Sequence, residues 1–213
     1  MSSIAEIRKE YKLQSLSEKD VAADPFVQFD KWWQDAMASQ IEEVNAMTLA
    51  TASQDGIPAA RIVLLKGKDN RGFKFFTNYN SFKGLQLREN PRACLVFFWK
   101  ELERQVRITG IVEKLDVTES DGYFSSRPEG SKIGAWSSPQ SQVIPGRDWL
   151  EENEKKYRNQ FDRKAIPRPP DWGGYRVQPI SIEFWQGRPN RLHDRIQFTL
   201  EEGGQWSIER LAP

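Results

Sequence analysis

The spacing of hydrophobic positions changes once in the first third of the chain. Up to about residue 23 the sequence is polar and charged, with no sustained period beyond a short helical possibility at Ile7 to Leu13, and it reads as a mobile arm able to fold over a ligand. Asp24 and Pro25 then supply an N-cap and a first helical residue, and Phe26, Phe29, Trp33, Ala36 and Met37 recur at spacings of three and four. The spacing predicts a helix over 25–40. From Met47 the period shortens to that of strands, with runs at Met47 to Ala52, Ala59 to Lys66, Phe73 to Thr77 and Arg92 to Trp99. Asp55-Gly56, Asn70-Arg71-Gly72 and Asn90-Pro91 separate them, and turns this short join antiparallel neighbours.

Arg104 to Leu115 alternates through one long strand, with Val106, Ile108, Gly110 and Val112 on one face and Arg107, Thr109 and Glu113 on the other. Helical segments follow at about 118–127, 130–136 and 146–161, until Pro167, Pro169 and Pro170 break the pattern. Strands resume at roughly 175–186, 194–200 and 205–210, with Gly203-Gly204 as the last hairpin turn. Six or seven antiparallel strands with peripheral helices predict a mainly β (α+β) fold, a closed or split barrel. The expected organisation is an arm over 1–23 and a single domain over 24–213. No internal repeat and no Gly-rich strand-to-helix fingerprint is present, so a nucleotide or flavin would bind in some other way.

Charge changes this picture little. Lys and Arg number 31 against 30 for Asp and Glu, so no general attraction to nucleic acid or membrane is expected and any anion site must be local. No run approaches the roughly 18 apolar residues of a membrane span. The single cysteine, Cys94, cannot form an internal disulfide, and no charged start followed by an apolar run marks a leader, so the cytoplasm is the expected compartment. Eight Trp, twelve Phe and five Tyr suit interfaces as well as cores. There is no Cys/His cluster for a metal and no spaced Ser/His/Asp set, which weakens metalloenzyme and hydrolase readings.

Four runs carry candidate chemistry. On an extended strand Arg191, His193 and Arg195 would share one face and call for an anionic or electron-rich partner, although a solvated surface strand accounts for such a cluster about equally well. Arg61 to Lys66 is an apolar strand core with a cation at each end, suited to a phosphate at a barrel rim or to simple snorkelling. Thr77 to Gly84 places hydroxyls and Lys83 where a helix begins, with Ser81 as N-cap, so backbone N–H groups could meet a phosphate; ordinary capping also explains it. Tyr123, Arg127 and Ser131 recur every four residues and mix a cation with two hydroxyls, as a second phosphate site or a surface helix end would.

Taken together, R-I-V-L-L-K at 61–66, L-E-R-Q-V at 102–106, G-A-W at 134–136, E-F-W-Q-G at 183–187, R-L-H-D-R at 191–195 and the terminal R-L-A-P resemble the pyridoxamine 5'-phosphate oxidase family over roughly residues 8–213. The resemblance implies an FMN-binding split β-barrel homodimer. It implies FMN contacts from Arg61, Ile62, Val63, Leu64, Leu65, Lys66, Phe76, Thr77, Phe82, Lys83 and Gln105, with Gln140, Ser141, Trp185 and Arg195 coming from the other subunit. It assigns the substrate phosphate to Lys66, Tyr123, Arg127 and Ser131, and the pyridine ring to Arg191, Leu192 and His193 coming from the partner subunit. Arg8, Lys9, Glu10 and Tyr11 match its N-terminal lid segment. The family usually has Arg where this chain has Phe82, and a lost cationic contact there would weaken FMN binding by on the order of 1 to 3 kcal/mol.

The implied reaction is FMN-dependent oxidation of pyridoxamine 5'-phosphate and pyridoxine 5'-phosphate to pyridoxal 5'-phosphate, with oxygen as acceptor and hydrogen peroxide released. Arg191 and His193 are the implied catalytic residues, His193 as either a positioning donor or a proton shuttle. One other reading is a split-barrel protein that binds flavin or pyridoxal phosphate without turnover. Another, a nucleic-acid-binding barrel, lacks a concentrated basic stripe.

Overall fold

Asp24 and Pro25 begin the first helix, and the local chemistry explains why. The Asp24 carboxylate accepts from Phe26 N at 2.6 Å and from Val27 N at 3.4 Å, satisfying two of the helix's orphan donors, while Pro25 has none to lose. The computed structural model describes residues 3–7 and 9–213. Its helices are α1 (Pro25–Ala38), α2 (Phe82–Glu89), α3 (Val117–Ser126), α4 (Glu129–Ser137) and α5 (Arg147–Gln160). Its strands are β1 (Ala46–Ala52), β2 (Pro58–Leu64), β3 (Gly67–Asp69), β4 (Gly72–Asn78), β5 (Arg92–Trp99), β6 (Arg104–Lys114), β7 (Trp172–Gln186), β8 (Asp194–Leu200) and β9 (Trp206–Arg210).

The nine strands form one sheet in the order β2-β1-β5-β6-β7-β4-β3, with β8 on β7 and β9 on β8. The fold class is that of the split barrels, antiparallel strands with peripheral helices, as the alternation predicts. Eight of the nine coincide with runs read in the sequence, and β3 does not. The three-residue β3 is too short to show a period, and it pairs with β4 through Gly67 opposite Lys74 and Asp69 opposite Gly72. In β6, Val106, Ile108, Gly110 and Val112 are buried while Arg107 and Ile111 are exposed, as the alternation requires. The short helix considered at Ile7 to Leu13 does not form. A 3-10 turn at Ile4–Glu6 precedes it, and the N–H groups of Lys12 and Leu13 are taken by the Glu103 carboxylate instead of by a helical ladder.

Contacts divide the chain into two compact units, one of Met1–Leu49, Cys94–Gly110 and Pro179–Pro213, the other of Ala50–Ala93 and Ile111–Gln178. In the first, Phe29, Phe97, Trp99, Phe184 and Phe198 are fully buried. Phe29 meets Phe97 edge-on with centroids 5.4 Å apart and Trp32 meets Phe184 at 5.2 Å, arrangements that add about 0.5–1.5 kcal/mol each to area burial. The buried Arg104 lies over the Trp32 ring at 4.5 Å, pairs with Asp35 of α1 at 2.6 Å and donates to Gln186 Oε1 at 2.9 Å.

In the second unit Phe73, Phe75, Phe124 and Val177 are buried in the core, and one ionic network lies on the other face of β4 and β7. Buried Arg176 reaches Glu113 at 2.7 Å, Asp69 at 3.1 Å and Glu119 at 3.3 Å, and Lys74 joins Asp69 and Glu119 at 2.9 and 2.6 Å. Burial pushes the Asp69 carboxyl up, but the hydrogen bonds from Lys74 and from Arg71 N, and then the charges of Arg176 and Lys74, hold it at about 2.

Candidate functional site

Two cavities gather most of the residues singled out in the sequence. The first, of about 470 Å³, lies wholly in the second unit and is lined by Ile62, Val63 and Leu64 of β2, Lys66, Phe76 and Thr77 of β4, Lys83, Tyr123, Arg127, Pro128, Ser131, Gln140 and Trp172. Three cations and no carboxylate face it among the described residues, which is the lining an anion requires.

Lys83 is brought inward by the way α2 starts. The Ser81 hydroxyl caps the helix by accepting from Gly84 N at 3.4 Å. A Cβ on Gly84 would lie 2.2 Å from the Tyr79 carbonyl oxygen, so only glycine lets the first turn press against the preceding loop. The Lys83 ammonium is buried and donates to Thr77 Oγ1 at 3.2 Å, and that hydroxyl donates in turn to Gln140 Oε1 at 3.1 Å. Burial, and then the like charge of Arg61, lower the Lys83 pKa. Arg61 itself, half-buried on β2, donates to Thr51 Oγ1 at 2.6 Å and does not line the cavity.

An aromatic wall closes one side. A Cβ on Gly174, which is opposite Phe76 in the β4–β7 ladder, would approach the Phe76 ring at 2.7 Å, so the missing side chain is what lets that ring lie flat. Phe76 stacks on Tyr123 with centroids 3.9 Å apart and on Trp172 at 5.7 Å. Arg127 caps α3 and lies 4.6 Å over the Trp172 ring, and its Nη1 is buried with no hydrogen-bond partner among the described residues. Burial lowers its pKa. A buried guanidinium nitrogen without an acceptor costs free energy that an incoming anion would recover.

The second cavity, of about 730 Å³, lies in the first unit and is lined by Ile7, Lys9, Glu10, Tyr11, Arg188, Asn190, Arg191 and His193. Here the geometry corrects the strand expected for Arg191 to Arg195. Pro189–Arg191 is a 3-10 turn in which Asn190 and Arg191 take φ of 56° and 62°, and β8 begins only at Asp194. Two successive non-glycine residues in the left-handed region are strained, a feature common where side chains must be aimed. Arg195 consequently does not share a face with Arg191; it binds buried Glu183 at 2.8 Å, and Arg107 pairs with the same carboxylate. His193 packs beside Trp185 at 4.6 Å, and its Nδ1 accepts from Arg188 N at 3.1 Å. Burial, then Arg191, lower its pKa below 6.5, so the ring is neutral at pH 7 with its proton on Nε2.

Several expected residues lie outside both linings. Leu65 is buried, Phe82 is exposed on the first turn of α2, Leu192 is exposed, Gln105 is half-buried on β6, and Ser141 is exposed with φ of 72°. Arg8 falls outside the described residues. Gln140, which the resemblance assigns to the other subunit, meets Thr77 within one chain. Trp172, Pro128, Arg188 and Asn190 were not singled out, and neither was the anchoring Glu183. A carboxylate on the otherwise apolar run Ile182 to Trp185 was a signal for Glu183; nothing local marks Trp172.

The fold and the first cavity define a split-barrel protein with a cationic, aromatic-walled anion pocket. Residues 33–161 match the family model described as pyridoxamine 5'-phosphate oxidase, and residues 172–213 match that of the pyridoxine 5'-phosphate oxidase C-terminal dimerisation region. The chain is 59% identical to the pyridoxine/pyridoxamine 5'-phosphate oxidase of Cupriavidus necator, with 100% of each chain covered. It is 56% identical to that of Nostoc punctiforme, with 99% of each covered. Among solved structures, PhzG from Burkholderia lata in complex with tetrahydrophenazine-1-carboxylic acid aligns with a TM-score of 0.88 at 29% identity, covering 94% of this chain and 99% of that one. A pyridoxamine 5'-phosphate oxidase-related FMN binding protein from Nostoc punctiforme shares the fold with a TM-score of 0.70 at 17% identity, covering 89% and 98%. The chain belongs to the pyridoxamine 5'-phosphate oxidase family. Among the described residues no helix is long and apolar enough to cross a membrane.

Proposed function

We propose that the chain is an FMN-dependent oxidase that converts pyridoxamine 5'-phosphate and pyridoxine 5'-phosphate to pyridoxal 5'-phosphate, acting as a cytoplasmic homodimer with oxygen as acceptor and hydrogen peroxide as by-product. The observation that carries this reading is the cavity faced by Lys66, Lys83 and Arg127 without a carboxylate, in which the Arg127 Nη1 lacks an acceptor. Those residues fit a phosphorylated ligand, and the flat wall of Phe76, Tyr123 and Trp172 fits a planar one.

Lys66, Tyr123, Arg127 and Ser131 hold the substrate phosphate. The β2 run from Arg61 to Lys66, with Phe76, Thr77, Lys83 and Gln105, holds FMN, and Gln140, Ser141, Trp185 and Arg195 from the other subunit complete its site. Held by these residues, FMN would supply the redox chemistry, removal of a hydride equivalent from the substrate's aminomethyl or hydroxymethyl carbon and its return to oxygen. Arg191 orients the substrate's amine or hydroxyl. His193 acts as a donor through Nε2–H, since its Nδ1 is already engaged by the Arg188 N–H and a neutral ring has no second proton. Positioning is the chain's main contribution to rate. Residues 24–213 form one FMN-binding split-barrel domain, and residues 1–23 form its arm.

The test is the visible spectrum of the FMN-loaded protein under anaerobic conditions, before and after pyridoxamine 5'-phosphate and then after air. Bleaching followed by recovery with stoichiometric peroxide is expected. A flavin spectrum that substrate leaves unchanged would make the chain a binding protein without turnover.

A further inference from the structure

Glu103 belongs to the L-E-R-Q-V motif but has no part in the chemistry proposed above. It nevertheless carries three signs of a built site. Its side chain is 3% exposed, its backbone takes a left-handed φ of 55°, and its carboxylate accepts from the backbone of an exposed N-terminal segment 90 residues away in sequence. Oε2 accepts from Lys12 N at 2.8 Å and Leu13 N at 3.1 Å, and Oε1 faces Lys9 Nζ at 3.4 Å. Meanwhile the Glu103 carbonyl accepts from Gly187 N at 2.7 Å. One residue thus ties the arm by its side chain and the end of β7 by its backbone.

The arm residue that gains from this is Tyr11. Its ring meets Trp185 edge-on at 5.7 Å and lies 6.0 Å from His193, and a Cβ on Gly187 would come within 2.7 Å of it, so the packing requires the glycine. Lys9, Glu10 and Tyr11 form one wall of the cavity whose other wall holds Arg191 and His193. Glu103 holds the segment just after this wall, and Arg188 and Asp194 hold the arm further along, at Gln14 O and Leu16 N. Burial pushes the Glu103 pKa up, but the Leu13, Lys12 and Lys9 contacts more than offset it, so the carboxylate is charged at neutral pH and its two backbone bonds are of the stronger, charge-assisted kind.

We propose that Glu103 is a positioning residue for substrate, a latch whose carboxylate grips the arm at Lys12 and Leu13 and so holds Tyr11 beside His193. The inference rests on the reading of this cavity as the substrate side of an oxidase.

Two readouts test it on the full chain. The first is the rate of tryptic cleavage after Lys12 without FMN or substrate, followed by mass spectrometry. The second is KM against kcat for pyridoxamine 5'-phosphate with FMN bound. In Glu103→Ala, loss of two charge-assisted bonds should speed the cut and raise KM by about tenfold or more, with kcat within about twofold. Glu103→Gln should fall between Glu103→Ala and the unsubstituted protein in both, because its amide oxygen still accepts from the two N–H groups but the charge and the Lys9 contact are lost. If Glu103→Ala does not fold, Leu13→Pro removes one donor at an exposed arm position; trypsin does not cut before proline, so cleavage is followed with chymotrypsin after Tyr11 in this variant and the unsubstituted protein, and both that rate and KM should rise. The latch is overturned if the folded variant leaves the cut rate unchanged, or if kcat falls while KM holds. Should the unsubstituted protein not oxidise pyridoxamine 5'-phosphate at all, the oxidase reading fails, and the cleavage rates alone decide the latch.

Discussion

Lys83 shows how a binding site is held at the expense of stability. Its ammonium is buried beside the like charge of Arg61, and a lysine pKa lowered on folding means that the protonated form is disfavoured in the native state throughout the pH range below that pKa. Replacing it by the similarly shaped Met removes this cost together with one cation of the anion pocket. Lys83→Met should therefore melt higher without ligand, by about 2 °C if roughly 1 kcal/mol is recovered in a chain of this size, while binding FMN about tenfold or more weakly. Calorimetry and flavin fluorescence titration measure the two effects, and a variant that melts lower or binds equally well would remove Lys83 from the site. His193 makes the second prediction at this scale. Its folded pKa lies below 6.5, so lowering the pH through that value protonates Nδ1 and breaks the bond from Arg188 N. Turnover should fall on the acid side with an apparent pKa below 6.5, and that limb should vanish in His193→Asn, whose amide oxygen can replace Nδ1 as acceptor. A pH–rate profile of both proteins decides it.

Whole elements aim these side chains, and here the sequence was legible in proportion to how local the cause was. Ser81 as a cap, Asp24-Pro25 as a helix start and the β6 alternation depend on neighbours a few residues away, and all three stand as read. Arg191, His193 and Arg195 would share a face only on a strand reaching back to Arg191; the left-handed pair Asn190 and Arg191 turns the chain first, and β8 begins at Asp194, where the strand read over 194–200 begins. Gly84, Gly174 and Gly187 were invisible as determinants, since what excludes a side chain at the last two is an aromatic ring or a leucine distant in sequence. The turn makes a prediction that touches none of the proposed catalytic side chains. Proline cannot adopt the φ of 56° at Asn190, so Asn190→Pro should unseat Arg191 and His193 and lower kcat/KM by about a hundredfold, whereas Asn190→Gly should be nearly neutral. Equal activity in the two variants would show that the turn's geometry does not matter to the reaction.

Over the whole molecule, acid stability should follow the Arg176 network. Asp69 is held at about 2 against an ordinary value of 3.8, so its contribution is complete above about pH 4 and is lost as the pH falls towards 2. The difference in melting temperature between the unsubstituted protein and Asp69→Asn should therefore be largest at neutral pH and shrink below pH 4; a constant difference would mean that the ionised carboxylate is not what stabilises. Assembly gives the last prediction. Phe98 on β5 and Ile180 on β7 are exposed at 51% and 43%, an unusual display of large apolar side chains on strands, and residues 172–213 match a dimerisation region. A homodimer in which Trp185 and Arg195 serve the flavin of the other subunit couples assembly to cofactor binding. Phe98→Lys would then place a charge in the interface, convert the protein to monomers in sedimentation analysis and weaken FMN binding together with it, because Gln140, Ser141, Trp185 and Arg195 of the proposed site would leave with the partner. Monomers that keep full flavin affinity would confine the site to one chain; a dimer unaffected by the charge would move the interface away from β5.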